Sequence, residues 1–147
     1  MRASDECIKL IKHFEGIRTK PYQDCIGLWT VGVGHLIGNG KSLPKEWNRT
    51  FSMEEVDALL RKDLVRFEHG VQRLCPVSMS QGVFDMLVSF SFNTGLGCLQ
   101  RSRVRQNINR GDVKNAIQIL LQYNKAGGKV IRGLTIRRQA EAALAMQ

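Results

Sequence analysis

Pro21-Tyr22-Gln23-Asp24-Cys25-Ile26-Gly27-Leu28-Trp29-Thr30-Val31-Gly32-Val33-Gly34-His35-Leu36-Ile37-Gly38-Asn39-Gly40 differs in texture from the rest of the chain. Glycines recur through it, and Trp29 to Gly34 alternates β-prone side chains with turn formers. Such a pattern predicts a small antiparallel hairpin sheet, with Asn39-Gly40 as a candidate hairpin turn. On its N-terminal side, Ser4 followed by Asp5 and Glu6 marks a helix start. Ile8, Ile11 and Phe14 then recur at helical spacing, and Gly16 is the stop. On the other side, Ser52-Met53-Glu54-Glu55 has the form of a capping box. Behind it Val56, Leu59, Leu60, Leu64 and Phe67 make an apolar stripe. Further helices are expected at about 80–92, 101–109, 112–123 and 134–146, with Asp112 and Thr135 as caps. Gly95, Gly97, Gly111 and Gly127-Gly128 mark the joints. One helix, a small sheet and then a helical bundle is an α+β arrangement. A long helix is expected to join the two parts and leave a cleft between them in which a polymer chain lies. The expected organisation is a single domain over 1–147, with a β-lobe at about 15–50 and a helical lobe from 1–14 and 52–147.

The 147 residues, 43% hydrophobic and 24% charged, suffice for a full core without disulfide or metal staples. They exclude a disordered, collagen-like or disulfide-scaffold protein. No apolar run approaches a membrane span, and no apolar stretch follows the polar first residues, so no secretory signal is visible. On this reading the protein is made and left in the cytoplasm. The net charge of +9 is concentrated. Arg101, Arg103, Arg105, Arg110, Lys114, Lys125, Lys129, Arg132, Arg137 and Arg138 face one acid, Asp112, while the rest of the chain balances. A basic face of this kind draws a protein to a polyanion, and nucleic acid, anionic lipid and an anionic cell wall all qualify. Cys7, Cys25, Cys75 and Cys98 are scattered, without zinc-site spacing. They read as small buried thiols, although two disulfides are conceivable in an oxidising compartment. No metal and no cofactor are expected.

Polar chemistry gathers at the entrance to the glycine-rich stretch. Glu15 ends the first helix, Asp24 follows at the start of the sheet, and Thr30 lies in the alternating run. Cleaving a glycosidic bond takes two carboxyl groups of unlike character. One stays protonated in apolar surroundings to protonate the leaving oxygen, and the other stays ionised. A Glu beside Phe14 suits the first role, an Asp in a polar loop the second, and a Thr hydroxyl can hold a water. Spacing alone also admits the plain alternative of solvated surface carboxylates. His35 reads as a structural histidine bonded to a carboxylate, with saccharide contact as the alternative. Gly32, Gly34 and Gly38 lack the spacing of a phosphate loop. Trp29 and Tyr22 beside a small sheet read as core completion, with sugar stacking as the alternative.

Several blocks carry a resemblance. They are Phe14-Glu15-Gly16, Pro21-Tyr22-Gln23-Asp24, Gly27 to His35, Phe92-Asn93-Thr94-Gly95-Leu96-Gly97, the stretch from Arg101-Ser102 to Asn109-Arg110-Gly111-Asp112, Ala126-Gly127-Gly128-Lys129-Val130, and Gly133-Leu134 through Arg137-Arg138-Gln139-Ala140-Glu141. Together they resemble the phage-type lysozymes, the endolysins of glycoside hydrolase family 24, over nearly the whole chain and in the family's order. The resemblance implies a lysozyme-like fold and hydrolysis of the β-1,4 bond between N-acetylmuramic acid and N-acetylglucosamine in peptidoglycan. It implies Glu15 as general acid, with Asp24 and Thr30 positioning and activating the attacking water. Direct attack inverts the anomer and places the carboxyls roughly 6.5–9.5 Å apart, whereas a retaining nucleophile stands at about 5–5.5 Å; the resemblance favours inversion. Leu36, Phe90 and Ser102 fall at saccharide-contacting positions of the family, though Leu36 and Phe90 equally suit core or rim roles. Some relatives carry Cys in place of the Asp, but the count from Glu15 lands on Asp24, leaving Cys25 as its neighbour.

The resemblance also gives the basic 101–138 segment a meaning, as a hold on the anionic bacterial envelope. The expected protein is a monomer that binds no nucleic acid and makes no stable membrane insertion. It would accumulate in the host cytoplasm and reach the wall once a holin pore forms; an N-terminal signal-anchor leading to the periplasm is the alternative. Three rival functions stand against this reading. A nucleic-acid-binding module lacks a zinc, RNA-binding or helix-turn-helix signature. A catalytically inactive wall-binding protein has no need of intact Glu15, Asp24 and Thr30. A transglycosylase can work with one acid, so Asp24 beside Glu15 favours hydrolysis.

Overall fold

The computed structural model describes residues 1–147. Helix α1 (Asp5–Glu15) leads into a three-stranded antiparallel sheet of β1 (Arg18–Gln23), β2 (Trp29–Gly32) and β3 (His35–Leu36), ordered β1-β2-β3. A 3-10 turn at Lys45–Trp47 precedes α2 (Met53–Leu74), the longest helix. There follow α3 (Gln81–Thr94), α4 (Leu96–Arg101), α5 (Arg103–Asn109) and α6 (Val113–Leu120). A second hairpin, β4 (Lys125–Ala126) and β5 (Lys129–Val130), leads into α7 (Arg132–Ala145). The result is the expected α+β arrangement of a small antiparallel sheet and a mainly helical body. The chain forms two compact units, Ile11–Asp63 and Met1–Leu10 with Leu64–Gln147.

In the Ile11–Asp63 unit, local signals set the elements. Gly16, at φ +81°, ends α1 in the left-handed region that an L side chain avoids. Strand β1 carries Pro21, which has no N–H to give a ladder. It lies where the β1–β2 register shifts, between the pairs Arg18–Gly32 and Tyr22–Thr30. Strands β2 and β3 turn over Gly32-Val33-Gly34, with both glycines at positive φ. That corrects the expected turn at Asn39-Gly40. Type I′ geometry needs positive φ at both central residues, and Asn39 does not adopt it. Instead Gly40 N–H donates to Ile37 O at 2.8 Å, and Asn39 Oδ1 accepts from Lys41 N–H at 2.9 Å. This loop folds back on Trp29, whose N–H donates to Gly40 O at 2.8 Å.

The capping box is complete. Ser52 Oγ accepts from Glu55 N–H at 3.1 Å, and Glu55 Oε1 accepts from Ser52 N–H at 3.0 Å. Arg49 adds a bidentate pair to the same carboxylate, at 3.0 and 2.6 Å.

In the helical unit, α3 is buried continuously from Val83 to Ser91 and forms its centre. Helix α7 packs on α3 so closely that a Cβ at Gly82 would sit 2.0 Å from Leu144 O. Two buried acids tie down the chain start. Glu68 accepts from Arg2 Nε at 2.8 Å and Ala3 N–H at 2.7 Å. Asp85 accepts from Ser4 N–H at 3.1 Å and from Gln81 Nε2 at 2.8 Å, and it also takes the Ser4 hydroxyl proton. Ser4 Oγ in turn caps α1 by accepting from Cys7 N–H at 3.2 Å.

Three expectations need revision here. The helix placed at 101–109 is two, because Ser102 leaves helical φ/ψ and caps α5 through Arg105 N–H at 3.1 Å. Thr135 is no cap: it lies in the first turn of α7 behind Ile131, and its hydroxyl bonds Ile131 O at 3.3 Å. Gly127-Gly128 is more than a joint, since positive φ at both residues closes the β4–β5 hairpin. The four cysteines are free thiols, with Cys7 and Cys75 buried, Cys98 half-buried and Cys25 exposed.

The Arg49 guanidinium, helped by Ser52, holds the Glu55 carboxyl down at about 2. A depressed carboxyl contributes stability above its unfolded value, near 4.5, and loses it as pH falls toward 2. Glu55→Gln keeps an acceptor for the capping box and removes the titration. The stability difference between wild type and Glu55→Gln, measured by thermal melts, is therefore expected to shrink between pH 5 and 2 and to be flat above it.

Candidate active site

Glu15, Asp24, Thr30 and Leu36 all belong to the Ile11–Asp63 unit. Glu15 is the exposed last residue of α1, held at the helix end where Gly16 N–H closes on Lys12 O at 2.9 Å. Asp24 opens the Asp24–Leu28 connection between β1 and β2 and is half-buried. Its Oδ1 accepts from Ile26 N–H at 3.0 Å and from Leu28 N–H at 2.9 Å. Its backbone closes the same loop, with Asp24 N–H on Leu28 O and Gly27 N–H on Asp24 O, both at 2.9 Å. Gly27 supplies the positive φ of +85° that this tight path requires. One carboxylate oxygen thus builds the loop, and Oδ2 is left as an acceptor.

Thr30 is buried on β2, and its hydroxyl donates to Leu28 O at 2.9 Å. With its proton committed, Oγ1 meets any further partner as an acceptor. The register sets Tyr22, Thr30 and Leu36 side by side across the three strands, and Leu36 is exposed. The loop residue Gly40 packs against this row: a Cβ there would lie 2.6 Å from Leu36 Cδ1 and 2.8 Å from Leu28 Cβ. Cys25, next to Asp24, is exposed and takes no part in the loop bonds.

His35, on β3, is a bonded histidine as the sequence suggests. Its Nδ1 lies 2.9 Å from Asp63 Oδ2, and its ring stacks on Trp47 at 5.6 Å and 13°. At the base of this unit Lys12 Nζ meets Asp57 at 2.5 Å, and Arg61 Nε meets the same carboxylate at 2.8 Å. These two cations hold the Asp57 carboxyl below its usual range.

Phe90 and Ser102 lie in the helical unit and are built into its interior. Phe90 has no exposed surface; its ring meets the Tyr123 edge at 5.2 Å and 87°, with the Arg138 guanidinium 5.1 Å from its centroid. Ser102 is 2% exposed, donates to Leu99 O at 2.8 Å and caps α5. Packing and capping account for both side chains in the structure.

Arg137 and Arg138 belong to the basic 101–138 segment expected to face the envelope, yet both are buried, with Glu141 fully enclosed between them. Arg138 Nε lies 2.8 Å from Glu141 Oε1 and Arg137 Nε lies 3.3 Å from Oε2, which also accepts from Ser89 Oγ at 2.6 Å. Arg138 Nη2 reaches Asn93 Oδ1 at 2.6 Å. Desolvation pushes the Glu141 carboxyl up and the Arg138 guanidinium down, against their mutual attraction. The i,i+3 and i,i+4 spacing of the two arginines to Glu141 was the available signal.

A profile of the family described as Phage lysozyme matches residues 12–141, a span that includes Glu15, Asp24 and Thr30. The endolysin of Bacillus phage B103 is 40% identical over 146 residues, covering 98% of this chain and 54% of that protein. The chain therefore spans about half the length of that relative. Among solved structures, a P22 lysozyme mutant superposes with a TM-score of 0.88 at 31% identity, covering 100% of this chain and 99% of that one. The muramidase domain of SpmX from Asticaccaulis excentricus gives 0.84 at 33% identity, covering 99% and 98%.

The Asp24 loop separates structural from chemical roles. Asp24→Asn keeps an Oδ1 acceptor for both backbone N–H groups, whereas Asp24→Ala leaves them without it. In thermal or urea unfolding, Asp24→Ala is expected to lower stability by about 1–3 kcal/mol for two lost hydrogen bonds, and Asp24→Asn by much less.

Proposed function

This chain belongs to the phage lysozyme family, and on that premise we propose that it is an endolysin muramidase. It hydrolyses the β-1,4 bond between N-acetylmuramic acid and N-acetylglucosamine in peptidoglycan and so lyses the host cell at phage release. The observation that carries this reading is the Asp24 loop, in which Oδ1 is fixed by two backbone N–H groups and Oδ2 is kept as an acceptor.

In the proposed reaction Glu15 protonates the glycosidic oxygen as the bond to the anomeric carbon breaks. A water donates one proton toward Asp24 Oδ2 and the other toward Thr30 Oγ1, which is available as an acceptor because its own proton is donated to Leu28 O. The water lone pair is then directed at the anomeric carbon, and Asp24 takes the proton released as the new C–O bond forms. Attack by water inverts the anomer. Leu36, exposed beside Thr30 in the sheet row, is the proposed apolar contact for the saccharide. Phe90 and Ser102 act from the interior, by holding α3 and α5 in place.

The partner is the peptidoglycan of the bacterial envelope, approached by a protein acting as a monomer. Eight of the ten cations between Arg101 and Arg138 lie at or near the surface, and they supply the attraction to the anionic bacterial envelope. No helix is long and apolar enough to cross a membrane. The proposed route is accumulation in the host cytoplasm and passage to the wall through a holin pore.

The test is turbidity loss of chloroform-treated Gram-negative cells, with fragments identified by mass. Wild type is expected to clear the suspension and release reducing-end muropeptides. Glu15→Gln and Asp24→Asn are each expected to be about 10²–10⁴-fold slower, while Cys25→Ser keeps most of the activity. Equal clearing by wild type and Glu15→Gln would place the damage on the basic surface, and anhydro products would mean transglycosylation. A Cys25→Ser loss with an active Asp24→Asn protein would move the second catalytic group to the thiol.

A further inference from the structure

Residues 125–133 are all exposed, a run that includes the whole β4–β5 hairpin and the start of α7. It presents three cations, Lys125, Lys129 and Arg132, and no acidic residue occurs anywhere from Val113 to Ala140. Large aliphatic side chains stand among these cations. Val130 is 60% exposed, Ile131 41% and Ile136 43%. Lys125 pairs with Val130 across the hairpin, so a cation and an aliphatic group share one face of the ribbon. Arg132 and Ile136 are four apart on α7 and share a helix face, which continues through Gln139, Ala140 and Ala143 without a charge.

We propose that the β4–β5 hairpin and the outer face of α7 form a docking surface for an anionic lipid bilayer. Cations interspersed in sequence with exposed β-branched side chains are the chemistry of an interfacial segment: the charges meet lipid phosphates and the aliphatic groups enter the headgroup boundary. Nucleic acid or an acidic polysaccharide would use the cations and gain nothing from Val130, Ile131 and Ile136. The Gly127-Gly128 tip, with φ of +58° and +78°, keeps the ribbon narrow. This surface is a separate property from glycan hydrolysis, and its test reads no catalysis.

The experiment is co-sedimentation of the full chain with large vesicles of equimolar phosphatidylglycerol and phosphatidylcholine, against phosphatidylcholine alone. It is run in low-salt buffer and again at about 0.15 M salt, where charges are screened beyond roughly 8 Å. Two variants are compared after circular dichroism has verified their fold: Lys125→Gln with Lys129→Gln and Arg132→Gln, and Val130→Ser with Ile136→Ser. Wild type is expected to bind the anionic vesicles and to ignore phosphatidylcholine. The triple variant is expected to bind roughly 100-fold more weakly at low salt, about fivefold for each cation removed. The double variant is expected to keep low-salt binding and to lose the part that survives at the higher salt. Triple-variant binding equal to wild type would overturn the proposal by moving the attraction to cations elsewhere. So would a double variant indistinguishable from wild type at both salts. Sedimentation with purified wall sacculi but with no vesicle would assign the face to polymer and overturn it as well.

Discussion

Glu141 has no accessible surface, and the helical unit is organised around its carboxylate. Transferring such a charge from water costs on the order of several kcal/mol unless the site returns it in ion pairs and hydrogen bonds. Here the return comes from Arg137 and Arg138 on its own helix and Ser89 on α3. That requirement fixes the rotation of α7 and its seat on α3, because the carboxylate meets Ser89 only when the helices face each other in this register. The close approach at Gly82 follows from the same packing. Arg138, held by Glu141, extends to Asn93 and lies over Phe90. A single buried charge thus specifies two helices, the end of α3 and the packing of its main aromatic residue.

In the other unit the corresponding constraint is Asp24. A carboxylate in a loop between two strands can spend both oxygens on the loop, and this one spends only Oδ1. The backbone N–H groups of Ile26 and Leu28 occupy Oδ1 and set the side-chain rotamer. Thr30 obeys the same rule, since bonding its proton to Leu28 O leaves only acceptor lone pairs. Hydrogen bonds of this kind order both side chains in advance, so neither loses rotamer freedom when a further partner is met. Leu28 is the shared partner: its N–H orients Asp24 and its carbonyl orients Thr30.

Much of this was legible in the sequence because the signals are local. Ser4, the Ser52–Glu55 box and Asp112 cap the helices they precede, within three residues of their partners. Gly16 ends α1 and the glycines at 32 and 34 turn the sheet, because positive φ is a property of one residue. Thr135 misled for a similar reason: a hydroxyl near a helix start looks like a cap, yet the helix began earlier. Arg137 and Arg138 read as surface charge because net charge contains no information about burial. Their sequestration depends on Ser89 and Asn93, more than forty positions away. The partners of His35, Trp47 and Asp63, were likewise hidden, because neither lies within a helical turn or a strand step of it in sequence.

The charge is distributed in a way that composition alone conceals. The Ile11–Asp63 unit holds eight lysines and arginines against seven acids, while the helical unit holds fourteen against six. Glu15 and Asp24 therefore belong to a nearly neutral unit, and the excess positive charge belongs to the other. Within the helical unit Arg137 and Arg138 are enclosed with Glu141, so two of its fourteen cations lie in the interior. Charge counted along a chain thus overstates the charge its surface presents, because a cation is kept in the interior only where an anion such as Glu141 accompanies it.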